Sequence, residues 1–333
     1  DHDETALAET YAHALGTQHR SIRLTANAIR SDFDALLSKI DQPTVEGFNV
    51  YYASSVARQL GLKVVLSGLG GDELFGGYST FRDLHSAKRM MKFVPKNRLS
   101  SAGIRWLGGQ IGTRKSMKLA EAVTRPNDLV QLYLLRRELF LPHERRSLHA
   151  PVEQCELRTG VAHEILEELQ NCCRDRDPEN QVSSLEIHGF MRHMLLRQSD
   201  VFSMAQGVEL RLPLLDHSLL ECVAALPGKW KRYGSAPKPL LIAAAGRRLP
   251  KQVGKTPKRG FVFPWAAWFR NELAPNVSSR LHDGRIWKNA GIHADVPAQL
   301  WKRFQLGDPT ISGLHIMGLV VLADVLARQN LSI

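Results

Sequence analysis

The chain opens with apolar positions spaced at the 3.6-residue period of an amphipathic helix. In DETALAETYAHALG, Ala6, Leu7, Tyr11, Ala14 and Leu15 share one face, and Gly16 stands where a helix takes its C′ glycine. HRSIRL then alternates polar and apolar, which predicts a short strand. Thr25 sits at the N-cap position of a second helix, whose face is Ile29, Phe33, Leu36, Leu37 and Ile40. QPTVEGF breaks the period as a loop. NVYYASSVARQL restores it through Ala53, Val56, Ala57 and Leu60, and Gly61 stops it. KVVLS carries an unbroken apolar run, the pattern of a strand buried on both faces. Beyond Phe81 the pattern is mostly helical. SLEIHGFMRHMLLRQSD puts Ile187, Phe190, Met191, Met194 and Leu195 on one face. VELRLPLLDHSLLECVAALP reads as a short extended piece, then a helix with Asp216 as N-cap and Pro227 as stop.

Helices alternating with strands predict a parallel α/β sheet covered on both sides, with ligands bound outside the carboxyl ends of its strands. The segment SGLGGDELFGGY lies at such an end, with five glycines in its twelve positions and Asp72 beside Glu73. Glycines let backbone N–H groups approach a phosphate closely. An aspartate repels phosphate but holds a Mg²⁺ that bridges to it, so the segment reads as a nucleotide–metal site. A tight strand–helix connection with an acidic first turn has the same composition, and both readings stay open at this point. Downstream, KTPKRGFVFPW is a loop rich in cations, glycine and proline. In it Lys258, close to Gly260, is a candidate phosphate or transition-state contact, with a plain surface lysine as the alternative. The histidines fall singly and suggest neither a triad nor a metal cluster, and the tryptophans read as core or rim.

Composition adds exclusions. With 333 residues, 44% apolar and 23% charged, the chain can bury an ordinary core without disulfides or metals. Cys155, Cys172, Cys173 and Cys222 show no CxxC or metal-ligand spacing and read as reduced thiols of a cytoplasmic protein. No signal peptide opens the chain. The longest apolar run, GLHIMGLVVLADVLA, is interrupted by His315 and Asp324, which suits a buried helix and argues against a membrane partner. The formal charge is +11, and nine Lys or Arg residues lie between Lys88 and Lys118 without one acid. Such a run can bind nucleic acid, anionic lipid or a phosphorylated substrate. Without aromatic interleaving or a nucleic-acid module it reads as solvated surface, and nucleic acid is not the expected partner.

Taken together, LSGLGGDELFGGY, SMAQGVELRLPLLDH and PKRGFVFPW, in that order and spacing, resemble the synthetase domain of the asparagine synthetase family, with its glutamine-hydrolysing members most similar. DETALAETYAHALGTQH and LPKQVGKTPKRGF extend the resemblance over nearly the whole chain, most loosely between Arg82 and Asn180. The resemblance implies an α/β domain of the ATP-pyrophosphatase (PP-loop, adenine nucleotide alpha hydrolase-like) type with a large helical portion. It implies a partial α/β unit over 1–85 and a mainly helical remainder over 86–333. In the family, ATP adenylates the side-chain carboxylate of aspartate, and ammonia from an N-terminal glutaminase domain displaces AMP. The implied cofactors are ATP and Mg²⁺, and the implied substrates are aspartate or another carboxylic acid and glutamine-derived ammonia. Ser67 and Gly68, with Gly70 and Gly71, match the nucleotide contacts; Asp72 matches the acid that helps hold Mg²⁺–pyrophosphate. Lys258 matches the lysine that stabilises the adenylation transition state. Glu73, Tyr78 and Asp200 match motif positions read as lining the substrate pocket. Glu209 and Arg211 match a pair read as organising the fold, and Asp216 a helix cap. Assembly as a homodimer is left open.

Three departures qualify this. The phosphate-cradling SGGLDSS loop of the family, its N-terminal catalytic cysteine and the glutaminase domain are absent, so the chain reads as a trimmed fragment that by itself binds ATP poorly. Leu69 stands where the family carries a glutamate in SGEGSDE, and leucine cannot act as a base. Val201 follows Asp200 where a cation is usual. The alternatives are therefore a specialised relative and a catalytically inactive homologue that binds anionic polymers. The specialised relative would be a biosynthetic-cluster amidotransferase, or a β-lactam or peptide cyclase working through an acyl-adenylate.

Overall fold

The structure is a computed structural model describing residues 5–93, 103, 112–125, 128–149, 160–233, 236–246, 249–250 and 263–329. The chain forms two compact units, each assembled from three separate stretches: Asp1–Thr25, Gly47–Asp83 and Glu168–Phe263 in the first, and Ala26–Glu46, Leu84–Glu167 and Pro264–Ile333 in the second.

The first unit holds the two strands among the described residues, β1 (Val64–Leu66) and β2 (Glu209–Arg211). They pair in parallel, Val64 against Glu209 and Leu66 against Arg211. Far apart in sequence, the two strands need a long crossover, as parallel pairing requires. The helix Phe48–Gln59 packs against the helix Arg197–Met204, with Phe48 and Phe202 rings 5.6 Å apart. That packing is close because Gly47 carries no side chain: a Cβ there would lie 2.7 Å from Gln198. Residues 178–204 are helical throughout. Pro178–Leu185 and Arg197–Met204 are α-helical, and Glu186–Leu196 between them widens to a π-helix. Such long π stretches are rare, and the sequence pattern predicted helix here without the change of pitch.

Several sequence expectations change. HRSIRL is coil, with Ile22 exposed and no partner strand among the described residues. β1 is not buried on both faces. Val64 and Leu66 point to an exposed face, and only Val65, between them, is half-buried. The face that carries Val64 and Leu66 is therefore exposed, where a sheet covered on both sides was expected. The helix Thr5–Leu15 ends as expected at Gly16, φ 64°, but it buries Ala12 rather than Leu15. In Phe48–Gln59 the buried positions are Phe48, Tyr52, Ser54 and Ala57, so Ala53 and Leu60 fall outside. These helices are short and weakly biased, and tertiary contacts rather than periodicity choose their inner face.

Among its described residues the second unit is built of helices, with one isolated antiparallel bridge between His149 and Ile292. The long helix Gly313–Gln329 buries residues nearly all round, as its uniform apolarity requires, and packs against Trp265–Arg270, Ala274–Leu281, Gly284–Asn289 and Val296–Gln305. Trp287, Trp301, Phe269 and Phe304 are fully buried. Each such side chain contributes about 1.5–3 kcal/mol of burial. The helix Ala26–Leu37 adds Phe33, whose ring meets Phe269 edge-on at 6.3 Å. Arg328 donates to the carbonyls of Leu37 and Ile40, closing the end of that helix with a cation where its dipole is negative. Elsewhere Glu138 takes Arg125 at 2.6 Å and Arg145 at 3.2 Å. No helix among the described residues is long and apolar enough to cross a membrane.

Candidate active site

The site forms where β1 ends. Ser67 extends the ladder by one bond, its N–H donating to the Arg211 carbonyl at 2.9 Å, and its Oγ accepts from the Leu69 N–H at 3.3 Å. The chain then turns through Gly68 into the short helix Gly71–Phe75. Gly70 has φ 91°, a left-handed conformation that disfavours side chains, and a Cβ there would meet Leu215 at 2.4 Å. A Cβ on Gly71 would touch Leu214 at 3.0 Å, whereas the space beside Gly68 is open. Gly70 and Gly71 are thus explained by packing within the unit, while Gly68 is explained by no neighbour.

Asp72 and Glu73, adjacent in sequence, have opposite surroundings. Asp72 is half-buried, and its Oδ1 lies 3.1 Å from Lys238 Nζ. Gly77 makes room for it: a Cβ at 77 would lie 1.8 Å from Asp72 Oδ1. Glu73 is buried. Tyr78 Oη donates to its Oε1 at 2.7 Å, and Ser183 Oγ donates to its backbone carbonyl at 2.8 Å. Burial pushes the Glu73 carboxyl up. The Tyr78 hydrogen bond opposes this, and the nearby charges of Asp72 and Glu186 add to it. Beneath Ser183 lies Lys231, buried, with its Nζ donating to Ser183 Oγ at 3.0 Å. Burial lowers the Lys231 ammonium to about 8, against the opposing charge of Asp177.

The structure therefore brings together Asp72, Glu73 and Tyr78, and adds Lys238, Ser183 and Lys231, which sequence reasoning missed. Lys238 carries a recognisable signal only in retrospect. It is a lysine between two prolines, in left-handed backbone (φ 51°, ψ 54°), directly before the helix Pro239–Ala245. Non-glycine residues held there store about 1–3 kcal/mol of strain and cluster at functional sites. Asp200 stands exposed on Arg197–Met204, outside this network. Lys258 lies outside the described residues. Glu209 and Arg211 do pair, at 2.8 Å, but both are exposed on β2. An exposed pair stabilises by at most about 1 kcal/mol, so it does not organise the fold. Asp216 caps as expected, accepting the Leu219 N–H at 3.2 Å.

No three His, Cys, Asp or Glu side chains among the described residues could together hold a metal ion. Asp72 offers a single carboxylate. That suits Mg²⁺, which keeps several waters and takes its other oxygens from a bound phosphate. A carboxylate paired with an ammonium beside this turn can seat a metal–phosphate group, with the acid holding the cation and the lysine the anion.

Comparison with known proteins gives the wider setting. The model of the asparagine synthase family matches residues 1–320. The chain is 26% identical over 312 residues to asparagine synthetase (glutamine-hydrolyzing) 1 of Bacillus subtilis, a match covering 89% of this chain and 46% of that protein. It is 34% identical over 90 residues to asparagine synthetase B (glutamine-hydrolyzing) of Escherichia coli, covering 25% of this chain and 16% of that one. It is 24% identical over 310 residues to amidase chry2 of Gibberella zeae, covering 87% and 45%. The chain thus spans less than half the length of these relatives. No solved structure matches it.

Proposed function

The chain belongs to the asparagine synthase family, and from that premise we propose that it is the synthetase part of an ATP-dependent, AMP-forming amidotransferase. It acts in the cytoplasm and makes asparagine from aspartate and glutamine-derived ammonia through a β-aspartyl-adenylate. The observation that carries the reading is Asp72 facing Lys238 at 3.1 Å on the glycine turn after β1. We read residues 1–85 as part of a PP-loop ATP-pyrophosphatase unit and 86–333 as its helical remainder.

Attack of a carboxylate on the α-phosphorus of ATP builds negative charge on the departing pyrophosphate. It needs charge neutralisation more than covalent help. Magnesium supplies part of that neutralisation when bound, and Asp72 is the residue of this turn that would hold it. Lys238 is placed to pair with the pyrophosphate once Asp72 turns to the metal. Lys258, by motif, neutralises the transition state. Ser67 and Gly68 border the nucleotide, and the open space beside Gly68 favours this. Gly70 and Gly71 are assigned to the nucleotide by motif alone. Glu73, braced by Tyr78 and Ser183, keeps the turn rigid beneath Asp72; substrate-lining roles for Glu73, Tyr78 and Asp200 rest on the motif.

A second reading is favoured by Leu69, which replaces the family glutamate, and by a relative named as an amidase. On that reading the same adenylating site serves another acid or another acceptor. The test is ATP–pyrophosphate exchange by the full protein that carries this chain. Exchange should depend on aspartate and vanish in Lys258→Ala. Exchange unchanged in that variant removes the lysine from the chemistry. Exchange that ignores aspartate but responds to another carboxylic acid selects the second reading.

A further inference from the structure

The helix His163–Cys172 ends on one cysteine and the chain continues with another. The Cys172 and Cys173 sulfurs lie 4.0 Å apart. Cys172 is half-buried and Cys173 buried, and neither is in a disulfide. Cys172 Sγ donates to the Leu169 carbonyl at 3.3 Å. Cys173 Sγ points to the Gln181 carbonyl at 3.6 Å, and Gln181 Nε2 returns a bond to the Cys173 carbonyl at 3.3 Å. The neighbouring Cys173 thiol and the Arg176 charge hold the Cys172 thiol below its usual range, against the effect of burial. A lowered, accessible thiol beside a second, sheltered one matches the division between an attacking and a resolving cysteine.

We infer that Cys172 and Cys173 form a reactive dithiol that a low-molecular-weight disulfide oxidises to a vicinal disulfide. The Cys172 thiolate bonds to one sulfur of the small disulfide, whose S–S bond breaks and releases one thiol carrying the proton Cys172 gave up. The Cys173 thiolate then bonds to Cys172 Sγ, and the mixed disulfide breaks to release the second thiol with the proton of Cys173. Two electrons and two protons pass from the cysteines to the small disulfide. The second step is favoured because its nucleophile is already in van der Waals range.

Consecutive Cα atoms lie about 3.8 Å apart, below the roughly 4.4–6.8 Å usually spanned by a disulfide, so the ring is strained. Strained disulfides are the readily reduced ones, which makes the modification reversible. The end of the helix supplies the needed slack: residues 173–175 are turn, with Asp175 at φ 58°. Closing the ring draws the Cys173 sulfur away from Gln181. That residue is on the same helix, Pro178–Leu185, as Ser183, which holds the Glu73 carbonyl. The dithiol chemistry does not depend on the ligase reading.

The test treats the reduced full chain with oxidised glutathione, alkylates it and maps the peptides by mass. The expected peptide holding both cysteines is two hydrogens lighter, refuses alkylation and recovers with dithiothreitol. It should be lost in Cys172→Ser and kept in Cys222→Ser. Phenylarsine oxide, which needs two thiols on one arsenic, should bind one equivalent per wild-type chain and none in Cys172→Ser. Amide exchange over 178–185 should quicken at least threefold on oxidation; unchanged exchange overturns the link to Ser183. Alkylation of both cysteines after treatment, a glutathione adduct that persists, or pairing with Cys155 or Cys222 overturns the dithiol. If the serine variant fails to fold, the wild-type peptide mass decides alone.

Discussion

In the unit that carries the Gly71–Phe75 turn, Glu73, Ser183, Glu186, Gln198 and Lys231 are all buried. In the other unit the fully buried positions include Trp287, Trp301, Phe269 and Phe304, and the buried polar residues described are Thr44, Arg125 and His315. The two regions obtain order differently. Aromatic burial is favourable in itself and tolerant of small shifts. A buried polar group costs stability unless its bonds are met, so the Tyr78–Glu73 and Lys231–Ser183–Glu73 bonds hold the turn of the first unit in few geometries. That is a poor way to gain stability and a good way to fix a carboxylate in place.

The sharpest break would come from the second unit. Trp301→Ala should lower the free energy of unfolding by about 3–5 kcal/mol, measured by chemical denaturation. A loss below about 1 kcal/mol would mean that the aromatic cluster is not its foundation.

The pH dependence of stability comes next, with an acid limb from the second unit and an alkaline limb to which both units contribute. His315, buried in the second unit, is lowered to about 4, chiefly by burial. The unfolded chain protonates it first, so stability is full above about 6.5 and lost as pH falls towards 4. The loss reaches up to about 3 kcal/mol and is absent in His315→Phe. Lys231, in the first unit, lies at about 8 against 10.5. Stability should therefore rise between pH 8 and 10.5, by up to about 3 kcal/mol. Lys118, in the second unit, is lowered the same way. Lys231→Met should remove only its own share of the rise, leaving the part due to Lys118. A profile unaffected by Lys231→Met would deny the buried ammonium.

Two glycines sharpen the view of the site. Gly77→Ala should cut pyrophosphate exchange about 100-fold by displacing Asp72, an effect of about 2.7 kcal/mol. Gly68→Ala should leave the melting temperature unchanged and weaken ATP binding. The reverse pattern would make Gly68 structural. The smallest effect is Asp216→Ala, about 1 kcal/mol of stability from a lost helix cap, with exchange unaltered.

Much of the fold was readable where local chemistry decides it. Gly16 and Gly61 end their helices in left-handed backbone, Asp216 caps, and the uniformly apolar Gly313–Gln329 is buried. The inner faces of Thr5–Leu15 and Phe48–Gln59 were misread because long-range packing selects them. The strand expected from HRSIRL failed because alternation alone supplies no pairing partner. Of the residues named from the motif, Asp72, Glu73 and Tyr78 lie together on the turn. Lys238, Ser183 and Lys231 lie more than 100 residues away, and no spacing rule could connect them to the turn. The pitch change at Glu186–Leu196 left no trace in composition.

The ion pair on β2 lies beside the exposed apolar side chains of β1. Glu209 and Arg211 stand opposite Val64 and Leu66 on the exposed face of the sheet. There the pair sets two charges against the exposed apolar side chains of β1, an arrangement that disfavours edge-to-edge pairing. Replacing both with valine would leave a concentrated sample clouding on standing, a matter of shelf life rather than of catalysis.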